Sequence, residues 1–151
     1  MEIKYYNILF ILLSFCCSCK NKCIVNNIEI SELLYTVSQN KSINYCKLLK
    51  TAIKGDSDAI KKLSLLEFYD AAGYDHGSVI VDLIFSISEE KYIKSISTIN
   101  RAQKDWIKCY IDVGIEYSNN PLIKHRDFKT VFPDLYLFLT CTANNAEKTN
   151  K

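Results

Sequence analysis

Apolar side chains recur at every third or fourth position along most of the chain from residue 29 to residue 141. This spacing predicts amphipathic α-helices, because steps of three and four residues both return to the same helix face. The strongest pattern runs from Ala102 to Tyr117. Its two adjoining apolar stripes are formed by Trp106, Tyr110, Val113, Gly114 and Tyr117 and by Ile107, Ile111 and Ile115. Because two stripes can pack on two neighbours, this helix is predicted to be central.

Five other helices are predicted before this one. Their spans are Ile30–Val37, Tyr45–Ile53, Asp56–Gly73, Val79–Ile87 and Glu89–Ile99. The segment Tyr74–Gly77 is predicted to be a turn between the third and the fourth, since it follows one glycine and ends on another. The β-branched run Val79–Phe85 is also compatible with a strand, but its helical neighbours favour a helix.

Polar residues mark several of these helix ends. Ser31 and Ser88 are predicted N-caps, because a serine hydroxyl can accept a hydrogen bond from the first turn of a helix. Asn100 followed by Gln103 resembles a capping box. Pro133 is predicted to open a last helix, since proline is favoured in the first turn.

These elements predict an all-α fold of six to seven short helices, arranged as stacked antiparallel hairpins. The predicted helix starts recur at roughly half the period of paired-helix repeats. The layout from Asp56 to Tyr117 resembles a short HEAT-type helical array. A compact irregular bundle is the alternative architecture.

Size and charge narrow the classes of function. The chain has 151 residues and 48% hydrophobic residues, which indicates one globular domain. Its net charge is only +2, and all basic residues except Arg101 and Arg126 are lysines spread among acidic residues. Nucleic-acid binders concentrate basic residues, often arginine, on one face, so no nucleic-acid partner is predicted.

The N-terminus carries a different pattern. A basic start, Met1–Lys4, precedes an apolar run, Tyr5–Phe15, that is too short to span a bilayer and fits the core of a secretory signal. Small and cysteine residues follow it, with Ser18 directly before Cys19. This arrangement resembles a bacterial lipoprotein signal, in which the cysteine after a small residue is acylated and becomes the N-terminus.

The resemblance implies that Cys19 is the lipidation site, with Cys16 or Cys17 as alternatives. It divides the chain into a signal peptide (1–18), a tether (19–28), a helical domain (29–141) and a flexible tail (142–151). The protein is then expected in the bacterial cell envelope, on the periplasmic or the outer side, and attached to the membrane by its lipid.

Four cysteines remain for the mature protein, and their chemistry is left open between buried thiols and a disulfide. They are Cys23, Cys46, Cys109 and Cys141. Cys46 and Cys109 lie in amphipathic helical patterns, where a free cysteine commonly behaves as a small buried hydrophobe. Their spacing is not that of a metal site, which favours close cysteine pairs.

Catalytic signatures are missing from the sequence, and no cofactor is predicted. The best polar cluster is Asp70, Asp75 and His76, for which an exposed loop between two helices is favoured over a metal site. His125 with Asp127 is interpreted as a charged surface loop, because no nucleophile accompanies it. On the predicted helix Ala102–Tyr117, the carboxylates of Asp112 and Glu116 are predicted to be solvated. Lys108 and Asp112 are predicted to form an ion pair.

Aromatic residues supply the remaining candidate site. Phe68, Tyr69 and Tyr74, together with His76, are predicted to contact a partner, since aromatic side chains are favoured at interfaces. The leading hypothesis is a membrane-anchored helical module that binds another protein. One alternative resembles immunity proteins, which neutralise a bacterial toxin; another is an envelope enzyme with a carboxylate and histidine site.

Overall fold

The computed structural model describes residues 23–141, of which 66% are helical. The predicted signal peptide with Cys19 and the predicted tail over 142–151 lie outside the described residues. The described range contains strands β1 (Cys23–Val25) and β2 (Ile28–Ile30) and helices α1 (Glu32–Asn40), α2 (Tyr45–Ile53), α3 (Ser57–Ser64), α4 (Asp70–Ile87), α5 (Glu89–Ser95), α6 (Arg101–Glu116), α7 (Phe128–Val131) and α8 (Pro133–Thr140). The predicted all-α class is confirmed, with one helix more than expected in this range and a small hairpin. No helix within 23–141 combines the length and apolarity needed to cross a membrane.

The hairpin overlaps the end of the predicted tether (19–28) and the first two residues of the predicted helical domain. Cys23 pairs with Ile30 in an antiparallel register, and the turn between the strands is Asn26–Asn27. Both turn residues have positive φ angles, 50° and 66°. Asparagine tolerates this left-handed conformation better than most residues, which is why it suits a two-residue hairpin turn. The buried side chains of β2 pack against α4.

The predicted N-caps Ser31 and Ser88 are both present, and Asp56 caps a further helix. Ser31 accepts a hydrogen bond of 3.0 Å from a backbone amide in the first turn of α1, and Asp56 accepts one of 2.8 Å in α3. Asn100 and Gln103 form both hydrogen bonds of a capping box at the start of α6. Pro133 opens α8 as expected. Local polar residues therefore fix these helix ends, because they satisfy amides that have no partner within the helix.

The region between α3 and α4 departs from the sequence prediction. Helix α3 ends at Ser64 rather than at Gly73, and the predicted turn Tyr74–Gly77 lies inside the continuous helix α4. The break between the two helices is at residues 65–69. The physical reason is that the glycines of α4 serve packing rather than chain reversal.

Close packing between α4 and α6 explains these glycines. A Cβ atom added to Gly77 would lie 2.5 Å from the carbonyl oxygen of Tyr110, and one added to Gly114 would lie 2.2 Å from the carbonyl oxygen of Gly77. No other residue has room at this crossing, since real Cβ atoms do not approach so closely. Gly73 faces Tyr110 just as Gly77 faces Gly114. The two helices therefore run parallel.

Helix α4 is the centre of the described fold. Ten of its residues are buried, and it packs against β2, α1, α2, α5 and α6. Helix α6, which was predicted to be central, packs instead on α4, α7 and α8. The stripe formed by Ile107, Ile111 and Ile115 is buried as predicted, whereas Tyr117 is exposed.

The cysteines of the described range separate into two pairs. Cys23 of β1 and Cys46 of α2 form a disulfide, which selects the bridge over the buried thiol for these two residues. Cys109 and Cys141 are free and exposed. The expectation of a buried Cys109 is therefore wrong, because this residue lies on the solvent side of α6 rather than on its apolar face.

Candidate functional site

A groove of about 640 Å³ runs along one side of α4. We call it the tyrosine groove and define it by its lining, which is Asn27, Glu29, Ser31, Ala71, Tyr74, Asp75, Ser78, Val79, Asp82, Tyr117, Ser118, Asn119 and Asn120. Three of these residues are acidic and none is lysine or arginine. Concave surfaces lined by charges of one sign concentrate their field, so this groove attracts cations.

Two stacked tyrosines form part of the wall. The ring centroids of Tyr74 and Tyr117 are 5.0 Å apart and the ring planes differ by only 5°. Both residues remain exposed, at 46% and 56%. Tyr74 projects from α4, and Tyr117 follows the last residue of α6. Exposed tyrosine rings can bind a cationic or aromatic group directly on their faces.

Two aspartates of α4 add charge to the groove. Asp75 and Asp82 lie two helical turns apart, so both point to the same side of α4. The Ser31 hydroxyl donates a hydrogen bond to Asp75, which ties the start of α1 to this wall. Partial burial raises the pKa of Asp82. A cation bound in the groove would oppose that shift, because an opposite charge favours the ionised carboxylate.

His76 belongs to the core and not to the groove. It is fully buried, and its Nδ1 shares a hydrogen bond of 2.6 Å with the Tyr45 hydroxyl. Its ring centroid lies 4.7 Å from that of Tyr110 and 5.0 Å from that of Phe68. Nε2 has no partner at hydrogen-bonding geometry among the described residues. Burial lowers the pKa of His76 to about 3, although the Leu63 carbonyl slightly opposes the shift.

The structure divides the four predicted contact residues. Phe68 and His76 are buried, so the prediction that they contact a partner is wrong; both fill the space between Tyr45 and Tyr110. Tyr69 is 62% exposed but stands outside the groove lining. Tyr74 alone is both exposed and part of the groove.

Sequence reasoning missed several residues of this site. Tyr117 was placed in an apolar stripe, and the roles of Asp75 and Asp82 depend on which side of α4 is left uncovered. The run Ser118–Asn120 gave a signal, since polar residues directly after a helix often line a binding surface. The position of that run beside α4 is set by long-range packing.

The other polar candidates stand apart from the groove. His125 pairs with Glu116 at 3.0 Å rather than with Asp127, and both members of the pair are exposed. Lys108 and Asp112 form the predicted ion pair at 2.5 Å. No group of three histidine, cysteine, aspartate or glutamate side chains within residues 23–141 is arranged to hold a metal ion. Asp70, Asp75 and His76 therefore form no metal site, because His76 points into the core.

Comparison with known proteins does not assign a family. No family model, curated protein or solved structure matches the chain.

Proposed function

We propose that this protein is an exported, lipid-anchored module that binds another protein through the tyrosine groove. The observation that carries the proposal is the exposed stack of Tyr74 and Tyr117 beside the carboxylates of Asp75 and Asp82. The partner contributes a basic segment, with arginine or lysine side chains that enter the groove. Attachment to the membrane through Cys19 follows from the signal sequence.

Export has two independent supports. The first is the sequence pattern that ends at Cys19. The second is the disulfide between Cys23 and Cys46. Disulfides persist in secreted and envelope proteins and are rare in the reducing cytosol of most cells. The bridge therefore favours an oxidising compartment without reference to the signal sequence.

The chemistry of the groove favours a basic partner. An arginine guanidinium can stack on a tyrosine ring while it donates hydrogen bonds to a carboxylate. The tyrosine pair and the aspartates of α4 supply both interactions in one depression. Tyrosine also buries a large area at a small cost in side-chain entropy, which suits it to protein interfaces.

The finer architecture that we infer is a row of antiparallel hairpins. Its support is the order of α4, α5 and α6, since α5 returns the chain so that α4 and α6 lie parallel and in contact. Corresponding helices of neighbouring repeats in a HEAT-like array have the same parallel relation. In such a row, the exposed side of α4 belongs to a surface that a partner can follow.

Site-specific photocrosslinking in intact cells tests the proposal. A photoreactive residue at Tyr117 is expected to give a discrete adduct with one protein. The matched control is the same residue at Leu137, an exposed apolar position on α8 that is outside the groove. The adduct should weaken severalfold when Asp75 and Asp82 are both changed to asparagine. An adduct pattern that is the same from both positions contradicts the groove as the binding site.

The two alternatives separate in the same experiment. If the crosslinked partner is a toxin, the module is of the immunity type. An envelope enzyme would need a histidine and a carboxylate together in a pocket, whereas His76 is buried and His125 is outside the groove. No observation on the described residues favours the enzyme over the binding module.

A further inference from the structure

The disulfide fixes the point at which the lipid tether enters the fold. Cys23 is the first described residue, and its bond to Cys46 attaches β1 to α2. The antiparallel pairing with Ile30 holds the same residue from the other side. The domain therefore cannot move away from the tether by opening the hairpin.

The tether is short. Cys19 and Cys23 are four residues apart in the sequence, and a fully extended chain advances at most about 3.6 Å per residue. Cys23 therefore stays within roughly 14 Å of the lipidated residue. The headgroup layer on one side of a bilayer is itself roughly 5–7 Å thick. The surface around Cys23 consequently lies close to the membrane.

That surface has the chemistry of a membrane contact. Beside the disulfide lies a shallow hollow of about 520 Å³ with β1 and α2 in its lining. Ile24 of β1 is 57% exposed, on the face of the hairpin that also carries Glu29. Lys47 and Lys50 line the same hollow from α2, and no acidic residue does so. Two further lysines, Lys20 and Lys22, lie in the tether. Lysines close to an anionic membrane are attracted to its lipid phosphates.

We propose that this β1–α2 surface, made of Ile24, Lys47 and Lys50, rests on the membrane and binds the headgroups of anionic phospholipids. The proposal rests on the lipid anchor at Cys19. It means that the anchor and the surface together hold the domain in one orientation. The β1–α2 surface and the tyrosine groove share no lining residue among those described, and they adjoin at the hairpin, where Ile24 lies opposite Glu29.

Fluorescence on vesicles tests this orientation. The full lipidated protein is reconstituted into vesicles of phosphatidylcholine and phosphatidylglycerol with brominated acyl chains. The only tryptophan of the chain, Trp106, is changed to phenylalanine, and Ile24 is changed to tryptophan as the reporter. Bromine quenches tryptophan only at close range. Quenching of the reporter at position 24 is expected to exceed that of Trp106 in the unchanged protein about twofold or more.

Charge variants separate the surface from the anchor. The double variant Lys47→Gln with Lys50→Gln should lose most of the quenching, and so should vesicles of phosphatidylcholine alone. The double variant Lys124→Gln with Lys129→Gln removes the same charge from exposed positions outside the surface. Its reporter should be quenched as strongly as without these two changes. Unquenched protein that still floats with the vesicles, or equal quenching on neutral vesicles, overturns the proposed surface. Protein that does not float at all overturns the anchor, and the inference built on it falls too.

Discussion

Acid is expected to destabilise this protein through one buried imidazole. His76 is enclosed by the rings of Tyr45, Phe68 and Tyr110. Its pKa is lowered from 6.5 to about 3, because burial disfavours the charged ring. Near pH 6.5 His76 binds a proton in the unfolded chain but stays neutral in the folded protein. The stability that depends on neutral His76 is thus complete above that pH and is lost as the pH falls towards 3.

The size of this effect follows from proton linkage. Between the two pKa values the unfolded state binds one proton more than the folded state, so the free energy of unfolding falls by about 1.4 kcal/mol per pH unit. From about pH 7.5 to about pH 5 the expected loss is about 2 kcal/mol, since only the part of that interval below 6.5 counts. That loss is measurable in a domain whose total stability is on the order of 10 kcal/mol.

Urea unfolding at the two pH values measures this change in the free energy of unfolding, with Trp106 fluorescence as the signal. The His76→Phe variant should lose about 2 kcal/mol less than the wild type over the interval, because its ring does not titrate. The His125→Gln variant is the control, since this histidine is exposed. If His76→Phe does not fold, His76→Gln serves the same comparison. Equal losses in the wild type and the His76 variant would show that His76 does not cause the loss of stability in acid.

Three further outcomes test the packing, the bridge and a cap. Gly114→Ala should destabilise the fold by about 1–3 kcal/mol, because the new Cβ meets the α4 backbone; a melting temperature at or above the wild type contradicts this. Cys46→Ser should cost about 3 kcal/mol for a bridge that spans 23 residues, and dithiothreitol should lower the melting temperature of the wild type alone. Asp56→Ala should cost about 1 kcal/mol and Asp56→Asn much less in urea unfolding, since asparagine also caps; equal losses count against the cap.

Local signals carried most of the helix assignments. Ser31, Asp56 and Asn100 cap helices as their chemistry requires, and the stripe of isoleucines in α6 is buried. Such features depend on residues three or four positions apart. The sequence alone therefore contains them.

Gly77 shows where this reasoning ends. In the sequence Gly77 indicates a helix break. In the structure Gly77 leaves room for the α6 backbone, and this close contact also requires Gly114, which is far along the chain. Because the predicted turn Tyr74–Gly77 lies inside α4, His76 is in the core and not in an exposed loop. A signal for its burial was present, since Ala72 and Ile80 lie one turn on either side of it. Asn26–Asn27 likewise signalled a hairpin that the polar composition of the segment obscured.

The candidate site was only partly predictable for the same reason. The sequence indicates Tyr74 as an aromatic residue near a predicted turn. In the structure Tyr74 belongs to the groove because it lies on the exposed side of α4. Its partner Tyr117 reaches the surface because α6 ends one residue earlier. Which side of α4 stays uncovered is decided by five neighbouring elements, none of which can be placed from a single helix pattern.

The bond between Cys23 and Cys46 also determines how the protein responds to mechanical force. A pull applied to Cys23 from its N-terminal side passes through the two sulfur atoms into α2, so the three residue pairs of the hairpin carry no load. Once the bond is reduced, the same pull acts along β1 and opens those pairs one after another. Residues 23–30 would then lengthen the extended N-terminal segment by roughly 27 Å, at about 3.4 Å per extended residue. The redox state of one bridge therefore sets how far the domain can stand from the point at which its N-terminal segment is held.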